Sequence, residues 1–188
     1  VSVTSIRREE YNIDIEAPRG ASLSINGDDD NYLIQNIDGA IYLDIDDGDA
    51  DLRNCNGDDF DFDFDDGDIT MDGGKGRLVI KSDDGDVDIR NGAFDDIEAR
   101  MDDGDLEIET SLSDNGNYFF RSSDGGIYMN VTRGGGDFTI YHDDTRVSVD
   151  GDFEVDRREE DETRLRLANG NAKIKMRVDD GRVRVSSR

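Results

Sequence analysis

Apolar and polar residues alternate over short stretches of this chain, and glycine and aspartate interrupt the alternation at regular intervals. Successive residues of a strand face opposite sides, so Phe60, Phe62 and Phe64 of Phe60-Asp61-Phe62-Asp63-Phe64 point inward and the two aspartates outward. The same register predicts inward rows Ile41, Leu43, Ile45; Leu78, Ile80, Ser82; Ile97, Ala99, Met101; Tyr118, Phe120, Ser122; and Phe138, Ile140, His142. Across the following turn the next inward residues are Ala50, Ile69, Val87, Leu106, Ile127 and Val147.

One phrase recurs between these rows, as in Asp83-Asp84-Gly85-Asp86-Val87 and Asp102-Asp103-Gly104-Asp105-Leu106. Its glycine falls at 48, 67, 85, 104 and 125, with Thr145 in the next slot, so the period is 18 to 21 residues. A second punctuation at Gly39, Gly57, Gly76, Asp95, Gly116 and Gly135 divides each period into two strand-plus-turn halves. Such a unit cannot bury its apolar face alone and stacks on its neighbours. The predicted fold class is all-β: a parallel two-sheet β-solenoid, β-helix- or β-roll-like, of about six to seven coils with irregular strand caps. At about 4.8 Å per coil it would be roughly 30 Å long.

One domain is expected over 1–188, with an N-terminal cap at 1–35, regular coils at 36–155 and basic coils at 156–188. In the cap, Val1–Val3, Tyr11–Ile15, Leu23–Ile25 and Tyr32–Ile34 read as strands. The acidic and basic run 156–162 reads as a solvated loop or hairpin tip. Outward residues then turn basic, at Arg164, Arg166, Lys173, Lys175, Arg177, Arg182 and Arg184, which predicts a rod with lopsided charge.

Charge narrows the partners. The formal net charge of -26 argues against the broad basic surface that phosphate binding requires, so no nucleic acid is expected. No apolar run reaches membrane-spanning length, so the chain itself is not expected to insert in a bilayer. It begins at Val1, which fits a processed product whose export signal was removed. Cys55 is the sole cysteine and reads as a buried or turn thiol.

The stretch Ala17-Pro18-Arg19-Gly20-Ala21-Ser22-Leu23-Ser24-Ile25, followed by Ile37-Asp38-Gly39-Ala40-Ile41 and the Gly-x-apolar-x-apolar units, resembles a known family. It is the family of bacterial β-strand-repeat proteins that carry a provisional adhesin label and are largely of unknown function. The resemblance covers nearly the whole chain. It implies a β-solenoid that is extracytoplasmic, in the periplasm or at the cell surface, often tethered to a membrane, with no established catalytic residues. The density of aspartate goes beyond the family pattern.

Stacking in register would place Asp47, Asp66, Asp84, Asp103, Asp124 and Asp144 in one column and Asp49, Asp68, Asp86 and Asp105 in a second. Like charges in a column repel, so something must offset them. Calcium is one answer, since it takes oxygen ligands from turns, with Asp47, Asp49, Asp66, Asp68, Asp84, Asp86, Asp103 and Asp105 as candidate ligands. Turn formation is another: aspartate caps backbone N–H groups and glycine supplies positive φ. A saline habitat is a third, because salt screens the repulsion.

His142 beside Asp143 and Asp144 would be the general base of an enzyme reading, a carbohydrate-active β-helix. No activated serine or second histidine accompanies it, so no catalytic residue is assigned. Outward Tyr42, Phe119, Tyr141 and Tyr128 could form a binding strip. The function expected is therefore a non-catalytic surface or envelope interaction module whose partner is a protein or glycan surface. Two alternatives stand beside it, a calcium-stabilised β-roll and a carbohydrate-active enzyme. Salt-dependent homo-oligomers are expected if the basic end meets the acidic body of another copy.

Overall fold

Alternation dictates the elements. A computed structural model describes Ser2–Val3 and residues 15–188, and the anticipated strand Tyr11–Ile15 lies almost wholly outside them. Among the described residues the fold is all-β, with 16 strands and no helix. In chain order these are β1 (Ser2–Val3), β2 (Leu23–Asp29), β3 (Tyr32–Gln35), β4 (Ile41–Asp47), β5 (Ala50–Arg53), β6 (Asp59–Asp66), β7 (Ile69–Asp72) and β8 (Lys75–Asp84). They continue as β9 (Val87–Asp103), β10 (Leu106–Ser111), β11 (Asn117–Arg133), β12 (Gly136–His142), β13 (Thr145–Asp150), β14 (Phe153–Arg158), β15 (Glu162–Leu167) and β16 (Ala172–Ser187).

Registers sort these strands into two ladders joined through the long strands. The first runs β1, β2, β4, β6, β8, then the later half of β9, and the earlier halves of β11 and β16. The second runs β3, β5, β7, the start of β9, β10, the later halves of β11 and β16, and β13. All these pairs are parallel. The coil pattern reaches back to Leu23, which opposes Ile41, so much of the anticipated cap already follows the repeat.

The inward rows make the core. Ile41, Leu43, Ile45, Phe60, Phe62, Phe64, Leu78 and Ile80 are at most 2% exposed, and Ala50, Ile69, Val87, Leu106 and Ile127 meet them from the other ladder at no more than 1%. Phe60 packs edge-on against Phe62 and Phe94, each at 6.1 Å between centroids. Tyr118 is buried with its phenol paired: it donates to Phe94 O at 2.7 Å and accepts from Ser113 N at 2.7 Å. Val147 is only half-buried, because it lies on the edge strand β13.

The glycine column has a steric cause. Gly48, Gly67, Gly85, Gly104, Gly125 and Gly181 all have φ between +109° and +139°, a region L-residues avoid. A Cβ on Gly67 would also lie 2.2 Å from the carbonyl oxygen of Gly48, and one on Gly85 equally close to that of Gly67. The turns stack backbone on backbone.

Two sequence expectations change at the C-terminal end. Pairing is not parallel throughout: β15 runs antiparallel to both β12 and β14, and Glu159 N donates to Glu162 O at 2.8 Å across the hairpin tip. Nor does the basic strand β16 stack last. β16 inserts between β11 and the pair β12 and β13, so Asp124 opposes Asp180 rather than Asp144. The reason is apolar complementarity: Ile174, Met176, Val178, Val183 and Val185, all at most 2% exposed, bridge the inward rows on both sides.

Candidate functional site

Both aspartate columns exist, and they differ. In the second, each carboxylate reaches the next coil. Asp68 N donates to Asp49 Oδ1 at 3.1 Å, Asp86 N to Asp68 Oδ1 at 2.9 Å, and Asp105 N to Asp86 Oδ1 at 2.8 Å. Asn31 Oδ1 supplies the first rung to Asp49 N at 3.0 Å, and Gly126 N takes the last, from Asp105 Oδ1, at 2.7 Å. These aspartates cap turn amides that the parallel ladders leave without partners.

The first column has no such ladder. Asp29, Asp47 and Asp66 oppose one another in succession, Asp66 opposes Asp84, Asp103 opposes Asp124, and Asp124 opposes Asp180. The Asp66 carboxyl is held above its ordinary value, first by lost hydration and then by the charges of Asp84 and Asp47. Asp103 is raised likewise, with Asp124 and Asp84 as its charged neighbours, and so is Asp46, beside Asp28 and Asp65. Among the described residues no three His, Cys, Asp or Glu side chains are grouped to hold a metal ion. The eight candidate ligands lie in two rows that follow the strand registers.

Among the described residues His142 meets no carboxylate. Its Nε2 lies 3.1 Å from Thr163 Oγ1, and the ring is half-buried at the end of β12. Ser82 Oγ donates weakly to Asp84 O at 3.4 Å, while Ser122 Oγ is buried without a hydrogen bond among the described residues. Cys55 is fully buried, and burial pushes its thiol up from the ordinary value.

The outward rows are ordered surfaces. On the second ladder Arg53, Asp72 and Arg90 oppose one another with alternating sign. The guanidiniums nevertheless turn to the acid two residues earlier on their own strands, Arg53 to Asp51 and Arg90 to Asp88, and Asn91 bonds Asp72 at 2.7 Å instead. A groove of about 920 Å³ lies along this face, over Thr70, Asp88, Glu107, Tyr128 and Arg184. On the first ladder Tyr42 donates to Asp59 Oδ2 at 3.0 Å, and Phe119 and Tyr141 lie beneath the cations of Arg100 and Lys175.

The basic strands find acids within the chain. Asp137 accepts from both Lys173 and Arg166, which hold its carboxyl below the ordinary value. Arg184 pairs with Asp150 at 2.8 Å and Arg188 with Glu109 at 3.0 Å. Sequence spacing could not reveal these pairs, because they depend on where β15 and β16 pair.

No curated protein matches the chain. A solved structure from Clostridium sporogenes, given a provisional role in cell adhesion, shares 11% identity and a TM-score of 0.29 over 65% of this chain and 55% of that one. The match thus spans about half the length of that relative. A family profile covers residues 3–186, and the chain belongs to the family it describes, the Toastrack domain DUF4097.

Proposed function

We propose that the protein is a non-catalytic interaction module of the extracytoplasmic surface or envelope, a β-solenoid scaffold whose two ladders display side chains at fixed spacing. The observation that supports this reading is the continuity of the outward rows. One row crosses Asn26, Asp44, Asp63, Lys81, Arg100, Arg121, Arg177 and Tyr141, with each neighbour placed by the ladder beneath. Side chains held at strand spacing on a packed core are preorganised, which lowers the ordering cost of binding a large partner.

The amide rungs give the second aspartate column a role in the turns, which supports the scaffold reading over the calcium-stabilised roll. The experiment is retention on isolated cell envelopes, run beside a hydrolysis screen against polysaccharides. Saturable retention without turnover is expected. Turnover abolished in His142→Ala would replace this reading with the enzyme one. Retention or melting that responds to millimolar calcium, and not to sodium of equal ionic strength, would replace it with the calcium-stabilised roll.

A further inference from the structure

Three rows of the first-ladder face reverse the sign of the molecule. In a chain of 48 acidic and 22 basic residues, three adjacent outward rows across β9, β11, β16, β12 and β15 hold seven basic against four acidic side chains. Arg100, Arg121 and Arg177 stand directly opposite one another on three successive strands. Like charges so placed are destabilising.

Internal partners satisfy this row only in part. Arg100 is held by Glu98 at 2.7 Å and Arg177 by Asp179 at 3.3 Å. Arg121, in the middle, makes no hydrogen bond among the described residues, and its nearest carboxylate, Asp179 Oδ2, is 3.6 Å away. Lys175 has no carboxylate in reach among them and sits 5.3 Å over the ring of Tyr141. Asp179 between Arg121 and Arg177 shows the mode of binding: one oxyanion set between guanidiniums of adjacent strands. Between Arg100 and Arg121 no acid among the described residues bridges the two guanidiniums.

The geometry points to a binding site for an acidic polysaccharide laid across the strands over Arg100, Arg121, Arg177 and Lys175. The strand spacing of about 4.8 Å is close to the length of one pyranose unit, so a carboxylate or sulfate on each sugar meets one arginine per strand. Arginine suits such oxyanions through its planar donor fork. Phe119 and Tyr141 lie under the cations of Arg100 and Lys175 and hold them in place over the strands. The net charge does not forbid this. At about 0.15 M salt the Debye length is about 8 Å, which screens the distant carboxylates and spares contacts within the patch.

This site rests on the scaffold reading and names its partner. The test is a fluorescence anisotropy titration of the 188-residue chain with labelled oligogalacturonate, and separately with dextran sulfate, at about 0.15 M salt. Neutral dextran serves as control. Arg121→Ser is expected to weaken binding about tenfold or more without lowering the melting temperature, since it relieves a like-charge contact. Arg53→Ser on the other ladder makes the same charge change and should leave affinity unaltered. The oligomer that binds identifies the anionic group as carboxylate or sulfate. No binding of either, equal binding of neutral dextran, or equal losses in both variants would overturn the proposal. If retention on envelopes persists in that case, the scaffold reading survives; if retention is absent as well, both fall.

Discussion

At the scale of single residues, the inward columns are apolar except where the chain nears a turn. Ser82, Ser122 and His142 occupy that end of the column, and each is placed differently. His142 reaches Thr163, Ser82 makes a long bond to Asp84 O, and Ser122 has its hydroxyl buried with no partner among the described residues. A buried hydroxyl without a hydrogen bond costs roughly 1–3 kcal/mol. Ser122→Ala should therefore stabilise the fold by about 1 kcal/mol, read as a higher midpoint in urea with an unchanged slope. A lower midpoint would show that the hydroxyl is satisfied in solution.

At the scale of the element, the turn explains much of the aspartate content. The carboxylates of Asp49, Asp68, Asp86 and Asp105 act through one oxygen, accepting the amide of the next coil. Asn31 performs the same task with no charge. Asp86→Asn should then keep the rung and relieve repulsion, raising the melting temperature. Asp86→Ala loses the acceptor and should destabilise by about 1 kcal/mol. If both variants behave alike, the carboxylate acts by charge and not as a cap. The strand and turn of each coil were legible in the sequence because period-two alternation and positive-φ glycine are local properties. The amide rungs were only half legible: their residue type was evident, but their partner lies one coil away.

At the scale of the whole molecule, two sets of carboxylates set the response to pH. The Asp46, Asp66 and Asp103 carboxyls are raised from their ordinary value, 3.8, by lost hydration and by one another's neighbours. The folded chain holds those protons more tightly than the unfolded chain, so their contribution grows as pH falls from neutral and is complete below 3.8. Asp38, bonded by Arg19, and Asp137, bonded by Lys173 and Arg166, are lowered. Their contribution is present above 3.8 and is lost as pH falls through their depressed values. Calorimetry from neutral to strongly acid pH should show a melting temperature that first rises, peaks near the ordinary aspartate value, and then falls. Salt should flatten the rise, because it screens the column. A decline from neutral pH onward would mean that the column does not govern stability.

The sequence by itself determined which residues face inward, where the chain turns, and that the acid column must exist, because alternation, glycine and spacing act within one coil. It also carried the sign of the C-terminal strands. Only the tertiary structure decided their place. β16 could end the stack by pattern alone, yet its two inward rows bury more completely between β11 and the β12–β13 coil, with β15 and β14 turned antiparallel at the edge. That choice sets Arg121 opposite Arg177 and leaves Asp179 between them. The basic face therefore arises from strand insertion, a non-local packing preference that no local period encodes.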